Sequence, residues 1–169
     1  MTMKHIMSKE STSSLTNVQA KDIQPNAVDL RVGKILEISD KDFTIDEEQK
    51  IHRGTKPVDV FEDGYWYLYP GAYEVIMDNE IEVGMGEAGF VITRSTLNRN
   101  GVYLTTGLYD TGYRGIMAGV MHVTCGRMKI KPGTRIGNIL TLTQKLYINM
   151  MATMVKVKSM IRSTNNVYS

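Results

Sequence analysis

An all-β sandwich or barrel is the fold class this sequence predicts, and three observations predict it. Short strand-like pieces follow one another through the chain: GYWYLYP, AYEVIMD, EAGFVITR, GVYLTT, IMAGVMHVT and TRIGNILTLT. Glycine and proline punctuate them at Pro70-Gly71, Gly101, Gly112, Gly115, Gly126 and Pro132-Gly133, which is strand-turn-strand spacing and not an alternation of β and α units. Ahead of them, Val28, Leu30 and Val32 fall on one face at period two. With 169 residues, 42% hydrophobic and 22% charged, and Gly 15 against Pro 4, the chain is one globular domain; a disordered tail, a collagen-like rod and a low-complexity array are excluded.

The elements follow in order. Residues 1–16, MTMKHIMSKESTSSLT, are polar with little to bury, and predict a flexible N-terminal arm. Ala27 to Ser39 predicts a strand whose register slips after Gly33, since Ile35, Leu36 and Ile38 no longer keep the earlier alternation; a β-bulge accounts for that. Residues 40–57 are charged and patternless apart from Phe43 and Ile45, which suits a surface excursion. The strand series then fills a barrel domain over 17–150. In KLYINMMATMVKVKSM, Tyr147, Met150, Met151 and Met154 fit a helical stripe while Val155 and Val157 alternate with lysines like an edge strand, so both readings stand. Residues 151–169 are expected as a C-terminal segment, either exchanged or lid-like or a frayed terminus.

Charge and cysteine content narrow the partners. Lys+Arg 20 against Asp+Glu 18 gives a net +2, so neither nucleic acid nor a membrane surface is an expected partner and any anion site is local. The single Cys125 excludes an intramolecular disulfide, and His5, His52 and His122 are too scattered for a metal site. No apolar run reaches the roughly 18 residues of a membrane span and no signal-peptide pattern opens the chain, so a cytoplasmic protein is expected.

Three segments carry candidate chemistry. Thr93-Arg-Ser-Thr-Leu-Asn-Arg-Asn-Gly101 follows an apolar strand with guanidinium forks and hydroxyls, groups that grip phosphate oxygens; it equally fits a polar loop whose Ser and Thr cap a short helical turn. Gly107-Leu-Tyr-Asp-Thr-Gly-Tyr-Arg-Gly115 sets Asp110 among glycines and tyrosines, as either a close-approach ligand site or a hairpin with Asp110 as turn former. In Gln24-Pro-Asn-Ala-Val-Asp-Leu-Arg31, Asp29 and Arg31 share a strand face opposite Val28 and Leu30, as a structural ion pair or as part of a site.

The order of these pieces resembles the trimeric dUTPase and dCTP deaminase superfamily over Ile23 to Leu142. Gln24 to Arg31 looks like its opening motif and Leu68-Tyr-Pro-Gly71 like its Pro-Gly turn. Arg94-Ser-Thr-Leu-Asn-Arg-Asn-Gly101 is similar to the phosphate motif of the deaminase branch, and Gly107 to Gly115 to the nucleoside-binding hairpin. Pro132-Gly-Thr-Arg-Ile-Gly137 resembles the late Pro-Gly…Ile-Gly strand. The resemblance implies a distorted jelly-roll β-barrel, a homotrimer, and sites shared across subunit boundaries. Arg94, Ser95, Thr96 and Arg99 would hold a triphosphate, Asp110 would orient the catalytic water, and Gly107, Leu108 and Tyr113 would meet sugar and base. Asp29 would lie near the phosphates, where the family places Mg²⁺ held mainly by the nucleotide.

Three departures separate the chemistries. Five residues past Gly115, where the deaminase branch has a proton-shuttling Glu, stands Val120, with His122 two residues on as a partly buried, satisfied histidine. The stretch from Gly101 to Asp110 is shorter than the family norm, and the tail from Lys158 to Ser169 lacks the family's glycines, with Arg162 and Tyr168 its only likeness to a closing arm. The expected function is pyrophosphate hydrolysis of dUTP or a related pyrimidine deoxynucleoside triphosphate, with Mg²⁺ as cofactor. The alternatives are a dCTP deaminase, and an inactive family member serving as a nucleotide sensor, protein-binding module or structural component.

Overall fold

The computed structural model describes residues 2–143. In chain order the elements are β1 (Thr2–Lys4), β2 (Ser14–Leu15), a 3-10 turn (Ala20–Asp22), β3 (Val28–Ile38), β4 (Thr44–Ile45), β5 (Lys50–Ile51) and β6 (Thr55–Pro57). There follow β7 (Trp66–Leu68), β8 (Gly71–Glu82), β9 (Glu87–Thr93), the single helical turn α1 (Ser95–Asn98), β10 (Val102–Thr105), β11 (Arg114–Val123), β12 (Met128–Ile130) and β13 (Arg135–Thr143). Every strand expected from the sequence within the described residues is present. The helical or edge-strand reading of 145–160 and the C-terminal segment 151–169 lie outside the described residues. No helix among the described residues is long and apolar enough to cross a membrane.

Alternation builds the core. On β8, Val75, Met77 and Ile81 point inward and are buried, while Asp78, Glu80 and Glu82 face outward and are exposed, as a half-buried antiparallel strand requires. Nine strands form a curled sheet in the order β1-β13-β3-β8-β11-β10, with β2 and β6 attached to β8 and β3, and β9 to β13. β3 is the seam: its first half, Val28 to Arg31, pairs with β13, and its second half, Val32 to Glu37, pairs with β8. The ladder shifts between Val32 and Lys34, at the bulge the sequence predicts. Gly33 leaves room there for the Asp78 side chain, whose carboxylate a Cβ would displace. The 40–57 excursion is the exposed β4–β5 hairpin leading into β6.

The opening segment corrects the expectation of a flexible arm over 1–16. β1 pairs with β13, β2 pairs with β8, and Ile6 is buried in the core. What the composition hides is a distant acceptor. Glu87, 3% exposed, takes hydrogen bonds from the Ser13 hydroxyl at 2.5 Å, the Ser11 hydroxyl at 2.8 Å and the Thr12 amide at 3.0 Å. Burial alone would push the Glu87 carboxyl up, but the Ser13 hydroxyl, the Thr12 amide and the Ser11 hydroxyl outweigh it and hold it below the usual carboxylate range.

A folded pKa below the unfolded one makes this contribution complete above the unfolded value, about 4.3, and lost as pH falls through the lower folded value. Glu87→Gln is therefore expected to cost about 2 kcal/mol in urea unfolding at pH 7. The gap between variant and wild type should narrow as pH falls below about 4. A gap independent of pH would show that charge is not what docks the segment.

Candidate functional site

The end of β9 is locked before the polar turn begins. The Thr93 hydroxyl donates to the Leu104 carbonyl at 3.1 Å and accepts from the Leu104 amide at 2.7 Å, so a side chain replaces a ladder pair and joins β9 to β10. Buried Leu97 then anchors α1. The helical turn of the alternative reading is present, but no side chain caps it, and among the described residues neither the Ser95 nor the Thr96 hydroxyl has a protein partner. Ser95, Thr96 and Arg99 are exposed, while Arg94 is partly buried. The stretch thus presents hydroxyls and a guanidinium to solvent from a fixed base.

What holds Arg94 is Asp29, which is 1% exposed. Its Oδ2 meets Arg94 Nη1 at 3.3 Å and Arg135 Nη1 at 2.9 Å, and accepts from Gln24 Nε2 at 3.3 Å; its Oδ1 accepts from Asn138 Nδ2 at 2.5 Å. The Asp29–Arg31 ion pair that their spacing suggests does not form. Arg31 binds Asp22 instead, through Nε at 3.0 Å and a second, shorter contact from Nη2, because the long guanidinium reaches off its strand to the 3-10 turn. Burial alone would raise the Asp22 carboxyl, but Arg31 and the Gln19 amide hold it below its usual range. Arg135 and Asn138 are site residues that sequence reasoning missed; the arginine inside Pro132-Gly-Thr-Arg-Ile-Gly137 was the available signal.

Arg94, Arg135 and Gln24 crowd Asp29 Oδ2 and Asn138 binds Oδ1, so the carboxylate is committed chiefly to protein donors. Among the described residues no group of three or more His, Cys, Asp or Glu is placed to hold a metal. The donor set fits a cation that arrives on phosphate, not one in a protein cage.

The hairpin builds the second half. Tyr109, 6% exposed, pairs with Gly89 of β9, and its hydroxyl donates to the Ala118 carbonyl at 3.0 Å and accepts from the Ala118 amide at 3.2 Å. Burial pushes its phenol pKa up. The Tyr113 hydroxyl donates to the Ile116 carbonyl at 3.0 Å, and the two tyrosine rings lie 5.2 Å apart. The Asp110 carbonyl accepts from the Tyr113 amide at 2.9 Å, so Asp110 does form the turn, yet its carboxylate is exposed and unengaged among the described residues. Gly107, Leu108 and Tyr113 are exposed beside it. His122 is satisfied as expected, stacked on Tyr103 at 4.7 Å with its Nε2 3.3 Å from the Thr105 hydroxyl.

These halves do not meet within one protomer. Tyr109 pairs with Gly89 at the start of β9, and Arg94 follows its end, so Asp110 and Arg94 stand roughly 20 Å apart at about 3.3 Å per residue. The Asp29 cluster yields its own prediction: Asp29→Asn removes the counter-charge from two partly buried guanidiniums and should cost about 3 kcal/mol in urea unfolding. Arg94→Ala should cost only about 1 kcal/mol, because Arg135, Asn138 and Gln24 still satisfy the carboxylate. Equal losses would contradict this assignment.

The family described as dCTP deaminase-like has a model that matches residues 2–142. A probable deoxyuridine 5'-triphosphate nucleotidohydrolase of Aeropyrum pernix is 32% identical over 118 residues, covering 69% of this chain and 73% of that protein. The fold is similar to the 2'-deoxycytidine 5'-triphosphate deaminase from Agrobacterium tumefaciens, with a TM-score of 0.60 at 14% identity, covering 78% of this chain and 44% of that one. It is also similar to the native EIAV dUTPase, with a TM-score of 0.52 at 16% identity, covering 79% and 88%.

Proposed function

The chain belongs to the dUTPase and dCTP deaminase superfamily, and we propose that it hydrolyses dUTP or a related pyrimidine deoxynucleoside triphosphate to the monophosphate and diphosphate. The observation that carries this reading is the pairing of unengaged hydroxyls and guanidinium at Ser95, Thr96 and Arg99 with an unengaged carboxylate at Asp110. Hydrolysis of this kind asks the protein chiefly for positioning and charge stabilisation. Asp110 orients a water toward the α-phosphorus. The bond from that phosphorus to the bridging oxygen breaks, and the diphosphate leaves into the cradle of Arg94, Ser95, Thr96 and Arg99. Tyr113, Gly107 and Leu108 seat the sugar and base. A magnesium ion arriving on the triphosphate would supply charge neutralisation at the phosphates, and Asp29 acts by holding Arg94 and Arg135 in place.

The separation of roughly 20 Å along β9 supports a site completed by a second subunit, and membership of the family makes that assembly a homotrimer in this reading, with the arginine turn of one subunit facing the hairpin of the next. Deamination has the dCTP deaminase-like family match in its favour, but a valine at position 120 carries no proton.

The test is diphosphate release from each deoxynucleoside triphosphate with Mg²⁺. Turnover of a pyrimidine substrate is expected, and Asp110→Asn should lower kcat at least a hundredfold while leaving the melting curve and nucleotide affinity close to wild type. Ammonia from dCTP without diphosphate would replace this reading with the deaminase, and binding without turnover of any nucleotide would replace it with a sensor.

A further inference from the structure

Beside the hairpin runs a groove of about 740 Å³ across the outward face of the sheet. Phe43, His52 and Arg53, from the 40–57 excursion, form one wall, and Glu74, Ala118 and Val120 form the floor. The wall is braced: Arg53 Nε donates to the Lys41 carbonyl at 2.8 Å, and the Phe43 and His52 rings lie 6.1 Å apart. At Gly119 the chain of residues 105–106 packs so closely that a Cβ would come within 2.5 Å of the Thr105 carbonyl oxygen. The hairpin is tied to the strand that floors the groove, since the Tyr109 hydroxyl binds the backbone of Ala118 and the Tyr113 hydroxyl that of Ile116.

Glu74 and Val120 are direct partners across β8 and β11. Directly opposed residues of an antiparallel pair project from the same face with their Cβ atoms about 5 Å apart. The carboxylate missing at position 120 is therefore present in the same groove, one strand over. Among the described residues it has no hydrogen-bond or ion-pair partner, although it is only partly exposed. A carboxylate offers acceptors and no donor. It suits the 4-amino group of cytosine, which donates, and opposes the 4-oxo group of uracil, which also accepts.

We infer that Glu74 is a specificity-determining residue that accepts a hydrogen bond from the exocyclic amine of the bound base, so that the groove takes a 4-aminopyrimidine nucleotide, dCTP among the common ones. This rests on the proposed pyrophosphatase reading for where the base lies, and narrows its substrate.

The experiment compares kcat/KM for diphosphate release from dCTP and from dUTP in the wild type and in Glu74→Gln. The amide is nearly isosteric and can donate to a 4-oxo group. The wild type should turn over dCTP, and the variant should shift the dCTP to dUTP ratio toward dUTP by roughly ten- to a hundredfold, a change that general loss of fold would not produce. A ratio unchanged within about twofold, with turnover intact, overturns the role of Glu74 and leaves the pyrophosphatase standing. Should the wild type release no diphosphate, that reading fails, and the α,β-imido analogues of dCTP and dUTP read the groove by calorimetry. The same shift in the ratio of Kd supports Glu74; an unchanged ratio, or no binding of either analogue, overturns it.

Discussion

A buried carboxylate must be paired, and Asp29 is where that constraint organises this molecule. At 1% exposure it cannot be hydrated, so it draws Arg94, Arg135, Asn138 and Gln24 around it. Those donors come from the turn after β9, from β13 and from the segment before β3, which fastens three separate stretches to one atom group. Asp22 does the same for Arg31. Three guanidiniums thus stand against two carboxylates at this end of the barrel, and the surplus cationic charge lies next to the open hydroxyls of Ser95 and Thr96. The arginines are thus fixed by structural need, Arg31 through all three of its guanidinium nitrogens.

The same scaffold determines why the two halves of the site are apart. β3 serves both parts of the curled sheet, and Thr93 closes the opposite seam by acting as backbone toward Leu104. β9 is consequently held taut along its length, with the arginine turn at one end and the Tyr109 hairpin tied to Gly89 at the other. A rigid strand of this kind cannot fold back to bring Asp110 to Arg94. Flexibility within the chain is therefore a poor route to a complete site, and the proposed homotrimer is what would join the two halves.

Much of the fold was legible because period-two alternation with glycine and proline punctuation is a local signal. The bulge at Gly33 was visible as a slip in that alternation. β12 escaped because three residues are too few to show a period. The docking of residues 2–16 escaped for a different reason: Ser11, Thr12 and Ser13 look like solvated residues until their acceptor, Glu87, is known, and nothing local announces a partner more than seventy residues away. The partner exchange among Asp22, Asp29, Arg31 and Arg135 has the same origin. Adjacency in sequence predicts ion pairs badly when arginine side chains are long enough to choose between elements. The polar turn and the hairpin were legible as pieces, since they are local, but their separation along β9 depends on pairing that only the fold specifies.

The groove makes the last step from sequence position to chemical position. An acid that serves a site is defined by the face and depth at which its oxygens stand, and in an antiparallel sheet two residues on different strands can occupy nearly the same place. Val120 reads as a loss when the chain is followed along β11 alone. Followed across the ladder to Glu74, the same floor still carries one carboxylate, displaced by one strand spacing, about 4.8 Å. That displacement is small against the size of a nucleobase and large against the tolerance of proton transfer, which needs donor and acceptor within about 3 Å. A carboxylate moved in this way keeps its power to recognise an amine after its power to shuttle a proton at the original position is gone, which is why the groove is read as a determinant of base choice and not as a restored deaminase.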